Sequence, residues 1–231
     1  MILTLATPRT VSTRIHTILC DHHGVKNIRE AFNYMDFENV SEQQRPFFQN
    51  IRVERYNSVP ANWHKKQLLR MLADQTQIGV KIFPGHLNRT PWVFEKLIEN
   101  ARITEAVVIL RKDVNAQIQS WYRARYTGRW GHNNKYPESI HIPWNQVEYD
   151  RLVKTVEKQY ATLSKWYKQV PDCKWMWSED AMTGQPQYQP HTLEHEFPEI
   201  EMDHSDQFDL DPSKQLDFGS IKTLTSHYAH P

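Results

Sequence analysis

The sequence predicts an α/β fold of three layers, in which helices cover both faces of a central parallel sheet. Short apolar runs with the length of buried strands recur along the chain, at residues 2–6, 78–83, 105–110 and 173–177. Segments with helical periodicity separate these runs, and strands that alternate with helices are typical of a parallel sheet. The length of 231 residues suits one domain, because a single core of this size buries most of its apolar surface.

Five helices are predicted from their apolar spacing, at residues 14–20, 60–74, 91–98, 114–126 and 147–166. Prolines at first-turn positions, Pro60 and Pro91, mark two of the starts. Ser12 or Thr13 is expected to cap the first helix with its hydroxyl. A loop is expected at residues 133–145, and residues 40–59 have no assignable pattern.

The end of the chain differs in composition from the rest. Residues 1–182 carry the alternating pattern and are expected to form the α/β domain. Residues 183–231 are rich in proline, glutamine and acidic side chains and have little periodicity. We expect this C-terminal extension to be irregular and to pack on the same domain as a wrapping segment or lid.

Charge and cysteine content exclude several classes of protein. The 28 basic and 27 acidic residues leave a net charge of +1, whereas a nonspecific nucleic-acid binder needs a clear basic excess. Cys20 and Cys173 are the only cysteines, so neither a disulfide framework nor a cysteine-rich zinc module is expected. No apolar run approaches the length of a membrane span, and the first residues lack a targeting pattern. We therefore expect a cytoplasmic protein without nucleic-acid or membrane partners; its oligomeric state is not predicted.

The stretch TPRTVST, residues 7–13, lies between the first predicted strand and the first predicted helix. A helix N-terminus presents unpaired N–H groups and the positive end of the dipole, and here hydroxyls and Arg9 surround it. The stretch therefore predicts a site for a phosphate or phosphosulfate. It lacks the lysine and glycines of a Walker A loop, which argues against an ordinary ATPase.

Polar side chains also follow two later strands, at residues 81–86 and 111–120. In a doubly wound sheet ligands bind beyond the carboxyl ends of the strands, so these groups are expected to meet residues 7–13 there. Asp113, Gln117 and Ser120 share one helix face by their spacing. Arg111 and Ser120 are expected to hold a second anion.

Two motifs, PRTVST and RKDVNAQIQSWYRARYTGRW, resemble the paired motifs of sulfotransferases that use 3′-phosphoadenosine 5′-phosphosulfate, particularly the bacterial trehalose-sulfotransferase branch. The pattern of the second motif is matched by Arg111, Asp113, Gln117, Ser120, Ala124, Thr127 and Trp130. The segments GVKIFPGHL and WSED are also similar to segments of that family. The resemblance implies a P-loop nucleotide-kinase-like fold and an enzyme that transfers a sulfuryl group to a hydroxyl of a carbohydrate or small metabolite, without a metal.

Carried over by position, the resemblance implies two binding roles. The 5′-phosphosulfate is held by the loop that contains Arg9, Thr10, Val11, Ser12 and Thr13. The 3′-phosphate is held by Arg111 and Ser120. The family usually has glycine where Val11 stands, and a bulky residue there changes how closely the loop approaches the donor.

Three residues are candidates for the chemistry of transfer. Glu30, in REAFN, resembles the carboxylate that precedes an aromatic pair in the family and is our choice for the general base. His86 is the rival base, because a neutral imidazole is available near pH 7. Lys81 is expected to stabilise charge on the bridging oxygen.

Two alternatives stay open. A divergent protein of the same fold would bind the nucleotide without catalysing transfer. A metal-dependent hydrolase is suggested by His191, Glu194 and His195, which form the HxxEH pattern of inverted zinc peptidases. The acceptor pocket is expected from residues 40–59, 131–145 and the C-terminal extension, since such pockets are built from variable loops.

Overall fold

The computed structural model describes residues 1–33, 61–88, 90–127 and 142–182. The strands are β1 Ile2–Ala6, β2 Lys26–Asn27, β3 Ile78–Ile82, β4 Glu105–Leu110 and β5 Lys174–Trp177. The helices, numbered within these residues, are α1 Ser12–His22, α2 Ala61–Ala73, α3 Pro84–Leu87, α4 Trp92–Asn100, α5 Val114–Thr127, α6 Gln146–Gln169 and α7 Ser178–Met182.

The five strands form one parallel sheet in the order β2-β3-β1-β4-β5. Leu5 of β1 pairs with Ile82 of β3 and Val108 of β4, so the carboxyl ends of these strands lie along one edge. The segments that follow them, including residues 7–13, therefore meet at that edge.

The sheet buries an apolar cluster on each face. The larger cluster joins Leu3 and Leu5 to side chains of α2, α4, α5 and α6. The smaller joins Ile15 and Leu19 of α1 to Ala6 and to residues of β4 and β5. Helices thus cover both faces, and the predicted α/β class with a parallel sheet is confirmed. None of the described helices is both long and apolar enough to cross a membrane.

Helix α1 packs unusually close to β3, at Gly79. A Cβ atom added to Gly79 would lie 2.2 Å from Cys20 Sγ and 3.1 Å from His16 Cε1. His16 is itself buried, and its Nδ1 lies 2.8 Å from Thr4 Oγ1 on β1. Because Gly79 has no side chain, α1 can lie this close to the sheet. The position of the loop that precedes α1 depends on this contact.

Four details differ from the sequence prediction. The short edge strand β2 and the short helices α3 and α7 were not predicted, because none of them is long enough to show a periodic pattern. The expected hydroxyl cap of α1 is wrong: the N-cap residue is Val11, which makes no side-chain cap hydrogen bond, and Ser12 is already the first helical residue. The other predicted strands and helices are confirmed within a few residues at each end.

Candidate functional site

Residues 7–13 form a tight connection in which two residues adopt a left-handed backbone. Arg9 has φ 68° and Val11 has φ 56°. This region is costly for residues other than glycine, and most costly for β-branched ones such as valine. The carbonyl of Val11 accepts the first helical bonds, from the N–H groups of Arg14 at 3.0 Å and Ile15 at 3.3 Å. The resemblance singled out Val11, because the family usually has glycine at this position, and the positive φ explains why glycine would suit it.

A buried network holds the beginning of this loop. Gln117, which is fully buried on α5, donates both amide hydrogens, to Thr7 Oγ1 at 2.6 Å and to the Pro8 carbonyl at 2.7 Å. Its Oε1 accepts the Tyr160 hydroxyl at 2.7 Å. Thr10 Oγ1 donates inward to the Thr7 carbonyl at 2.8 Å, so its hydroxyl hydrogen is used within the loop. The loop conformation is thus fixed from the interior of the domain.

The arginines of the two predicted anion sites form one cluster. Arg9 Nε donates to Ser120 Oγ at 2.8 Å, and an Arg111 guanidinium nitrogen donates to the Arg9 carbonyl at 2.9 Å. The resemblance implied separate roles, with Arg9 at the phosphosulfate and Ser120 at the 3′-phosphate. In the structure these two side chains bond directly to each other.

A carboxylate of the chain lies at the start of the segment that leads into α5. Glu179 accepts the backbone N–H of Lys112 at 3.1 Å and that of Asp113 at 3.3 Å. Glu179 also lies close to a cation, because Arg111 Nε is 3.7 Å from Glu179 Oε1. Two N–H groups and a guanidinium thus surround a negatively charged group, which is the environment that a phosphate requires.

Glu30, Lys81 and Thr13 meet at the other side of the loop. Lys81 Nζ lies 2.8 Å from Glu30 Oε1 and donates to Thr13 Oγ1 at 2.5 Å. The Lys81 side chain is fully buried, and that of Glu30 is 20% exposed. A cation from β3 therefore joins the predicted base to the first turn of α1.

Backbone pairing of the residues after β2 with β3 explains why Glu30 reaches Lys81. Ile28 N–H donates to the Gly79 carbonyl at 3.0 Å, and Lys81 N–H donates to the Arg29 carbonyl at 2.8 Å. These bonds continue the pairing of β2 with β3 beyond the two residues of β2. Glu30 follows directly, so the edge pairing brings its carboxylate beside Lys81.

His86 lies against the same carboxylate but is not arranged as a base. Its Nδ1 accepts the Phe83 backbone N–H at 3.3 Å, which leaves the hydrogen on Nε2, 3.5 Å from Glu30 Oε2. Burial, with Lys81 nearby, lowers the pKa of His86 to about 4, so the ring is neutral at pH 7. With the Nδ1 lone pair engaged, His86 orients Glu30 and has no free nitrogen to accept a proton.

The charge state of Glu30 depends on two opposing effects. Burial alone would raise its pKa, but the charge and hydrogen bond of Lys81, together with a hydrogen bond from Asn33, hold the pKa below its ordinary value. Glu30 is therefore ionised at neutral pH and can accept a proton.

Lys65 closes the cluster from α2. Its Nζ donates to the His86 carbonyl at 2.6 Å and to Thr90 Oγ1 at 2.7 Å, and the residue is 3% exposed. Burial lowers the pKa of Lys65. Sequence reasoning did not single out this lysine, whose position in an amphipathic helix gave no signal of a polar role. Its contacts fix the backbone at His86.

The predicted site residues thus fall into two neighbouring groups. Thr13, Glu30, Lys81 and His86 form one, and Arg9, Arg111 and Ser120 form the other. Thr10, Val11 and Ser12 lie in the chain between Arg9 of one group and Thr13 of the other. Sequence reasoning missed Tyr160 and Glu179 as members of the site, and interpreted Tyr160 as part of an apolar stripe. A hydroxyl in such a stripe is a usable signal, because a buried tyrosine needs a hydrogen-bond partner.

No group of His, Cys, Asp and Glu that could hold a metal ion occurs within the part of the chain that the structure describes. The HxxEH residues His191, Glu194 and His195 lie outside that part, so the metal hydrolase stays an untested alternative. The acceptor pocket was expected from residues 40–59, 131–145 and 183–231, and of these only residues 142–145 lie within the described part. Comparison with known proteins gives no match, neither to a family model nor to a curated protein sequence.

Proposed function

We propose that the chain is a sulfotransferase of the P-loop nucleotide-kinase-like fold, which transfers a sulfuryl group from 3′-phosphoadenosine 5′-phosphosulfate to a hydroxyl of a carbohydrate or small metabolite. One observation carries the proposal: Thr13 of the predicted anion loop and the Glu30 carboxylate contact the same Lys81 ammonium. A sulfuryl group at the start of α1 and an acceptor hydroxyl at Glu30 would therefore lie within reach of one cation.

In the proposed reaction the acceptor oxygen forms a bond to sulfur while the bond from sulfur to the bridging oxygen of the 5′-phosphate breaks. The acceptor proton passes to Glu30, and the electron pair of the broken bond stays on the phosphate of adenosine 3′,5′-bisphosphate. The Lys81 ammonium offsets the charge that develops on the bridging oxygen. Glu30, although paired with Lys81, suffices as a base because the acceptor hydroxyl becomes more acidic as its oxygen bonds to sulfur.

The geometry favours Glu30 over His86 as the base. Glu30 is ionised and partly exposed, whereas the acceptor nitrogen of His86 is already bonded to Phe83. The contact between His86 Nε2 and Glu30 Oε2, at 3.5 Å, supports an orienting role for the imidazole. A base held by Lys81 on one oxygen and His86 on the other keeps one orientation.

The groups around Arg111 also support the proposal that the donor carries a 3′-phosphate. The 3′-phosphate needs donors that tolerate a double negative charge, and Arg111 with the N–H groups of Lys112 and Asp113 offers them. The Glu179 carboxylate already lies on these three groups, at 3.7, 3.1 and 3.3 Å. A negatively charged group therefore fits this position, although a bound phosphate would have to displace Glu179 from it.

Calorimetry with adenosine 3′,5′-bisphosphate tests the donor site without knowledge of the acceptor. Arg111→Ala is expected to weaken binding by roughly 1.5–3 kcal/mol, because a charged hydrogen-bonding partner is lost. Lys174→Ala, on β5, is a control that should leave the affinity unchanged, since the Lys174 ammonium contacts Glu105 away from the donor residues. Failure of the wild-type protein to bind at millimolar ligand would contradict the proposal.

Transfer itself is tested by incubation of the protein with the radiolabelled sulfuryl donor and a panel of carbohydrates and small hydroxyl compounds. Glu30→Gln is expected to reduce turnover by a factor of about 10²–10⁴ while it changes donor affinity much less. A fully active Gln variant would show that Glu30 is not the base.

A nucleotide-binding protein without transferase activity is the second candidate, and Val11 favours it. The left-handed backbone of Val11 places a β-branched side chain in the anion loop, where it limits the close approach of a donor. Binding of the bisphosphate together with no transfer to any acceptor, and no release of sulfate, would support this candidate over the enzyme.

A further inference from the structure

The Tyr160 hydroxyl lies between the two motifs that carry the site, although Tyr160 belongs to neither. It donates to Gln117 Oε1 at 2.7 Å and accepts the Arg111 backbone N–H at 3.4 Å. Gln117 extends the connection to Thr7 and Pro8 through both of its amide hydrogens. Because burial raises the pKa of Tyr160 to about 12, the hydroxyl remains a donor at neutral pH.

The loop that these bonds reach is one that needs external support. Arg9 and Val11, immediately after Thr7 and Pro8, both have positive φ. L-residues persist in this region only where the surrounding structure determines their conformation. The bonds from Gln117 fix the two residues that enter the strained segment, and Tyr160 in turn fixes Gln117.

We propose that Tyr160 is a positioning residue that acts through Gln117 to hold residues 7–13 in the conformation that binds an anion. The end of β4 is held by the same hydroxyl, through the Arg111 backbone N–H. One phenol thus sets the distance between the loop after β1 and the arginine after β4. Removal of its oxygen is expected to loosen the loop while the fold is kept.

The first test uses the ligand-free protein and does not depend on the proposed function. In Tyr160→Phe, hydrogen exchange at the Arg14 and Ile15 amides, which bond to the Val11 carbonyl, is expected to accelerate by about fivefold or more. The matched control is Tyr122→Phe. Tyr122 is similarly buried, and its hydroxyl donates to the Pro143 carbonyl and accepts the Asn145 N–H, neither of which belongs to residues 7–13.

Unchanged exchange at these two amides in Tyr160→Phe would overturn the inference, and so would equal acceleration in Tyr122→Phe. If Tyr160→Phe does not fold, Gln117→Met removes the same connection from the other end and is expected to give the same acceleration. Unchanged exchange in that variant would again overturn the inference.

The second test rests on the proposed function. Calorimetry is expected to show a three- to tenfold weaker affinity for adenosine 3′,5′-bisphosphate in Tyr160→Phe and an unchanged affinity in Tyr122→Phe. Equal affinities in the two variants would overturn the link between loop position and donor binding. If the wild-type protein does not bind the bisphosphate at all, the proposed function fails, while the exchange result still decides whether Tyr160 positions the loop.

Discussion

Replacement of Gly79 by alanine tests how strictly the contact between α1 and β3 is set. The new Cβ would lie 2.2 Å from Cys20 Sγ, whereas carbon and sulfur atoms in contact need about 3.5 Å or more. Cys20 is fully buried and His16 lies 3.1 Å from the same Cβ, so neither side chain can yield into solvent. The sulfur, or the whole of α1, has to move by roughly 1 Å.

Overpacking of this kind typically costs about 1–3 kcal/mol, and the doubly crowded site places Gly79→Ala in the upper part of that range. We therefore expect a loss of about 2–3 kcal/mol in the free energy of unfolding. For a domain of this length that corresponds to a decrease of roughly 4–12 °C in Tm. Denaturant unfolding monitored by circular dichroism measures the loss.

Cys20→Ala supplies the control. Alone it removes a buried sulfur atom and is expected to cost about 1 kcal/mol. In the double variant the methyl group of residue 79 enters the space that the sulfur leaves, so the combined cost is expected to fall at least about 1 kcal/mol below the sum of the single costs. Gly79→Ala with wild-type stability, or strictly additive single costs, would refute the close-contact argument.

Three further predictions concern the pH response and the two anion positions. Burial lowers the pKa of His16 and His86 from 6.5 to about 4, so the stability that the two neutral rings contribute is fully present above pH 6.5 and is lost as the pH falls towards 4. The expected loss in the free energy of unfolding is roughly 2 kcal/mol per histidine at pH 5. Unfolding curves at pH 7.5, 6 and 5 measure this loss, and a free energy of unfolding that does not change over this range would contradict it. Val11→Gly is expected to raise Tm by about 2–4 °C, since it relieves roughly 1 kcal/mol of left-handed strain; a lower Tm in a calorimetric scan would argue against that strain. Glu179→Gln is expected to strengthen binding of adenosine 3′,5′-bisphosphate several-fold, because the competing charge beside Arg111 is removed; weaker binding by calorimetry would contradict competition.

The sequence predicted the interior of the fold well because its strands are buried on both faces. β1, β3 and β4 are apolar runs, and such runs are recognisable without any partner. β2 is different: its two residues, Lys26 and Asn27, are polar and lie at the edge, so nothing in their composition marks a strand.

The contact between Glu30 and Lys81 could not be predicted for the same reason. Each residue was proposed separately, and Glu30 and His86 were treated as rivals. Only the edge pairing next to β2 brings Glu30 to the end of β3, where both Lys81 and His86 contact it. Long-range pairing of polar backbone leaves no trace in the order of the side chains.

The residues of the arginine cluster were predicted, but the contacts between them were not. Their positions after predicted strands, and the family resemblance, predicted Arg9, Arg111 and Ser120 as anion-binding residues. Whether Arg9 turns towards the start of α1 or towards Ser120 depends on its backbone, which is left-handed. A single φ value of this kind is not encoded by side-chain type, except where the residue is glycine.

The central position of β1 has a consequence for biosynthesis. Ile2 pairs with Gly79 on one side and with Glu105 on the other, so β1 is synthesised before both of its neighbours and has to wait for them. Until β4 has emerged, the apolar run of β1 stays exposed, and the nascent chain depends on late, non-local pairing. We therefore expect that the domain folds only after most of its residues have been synthesised, and that holding chaperones improve its yield.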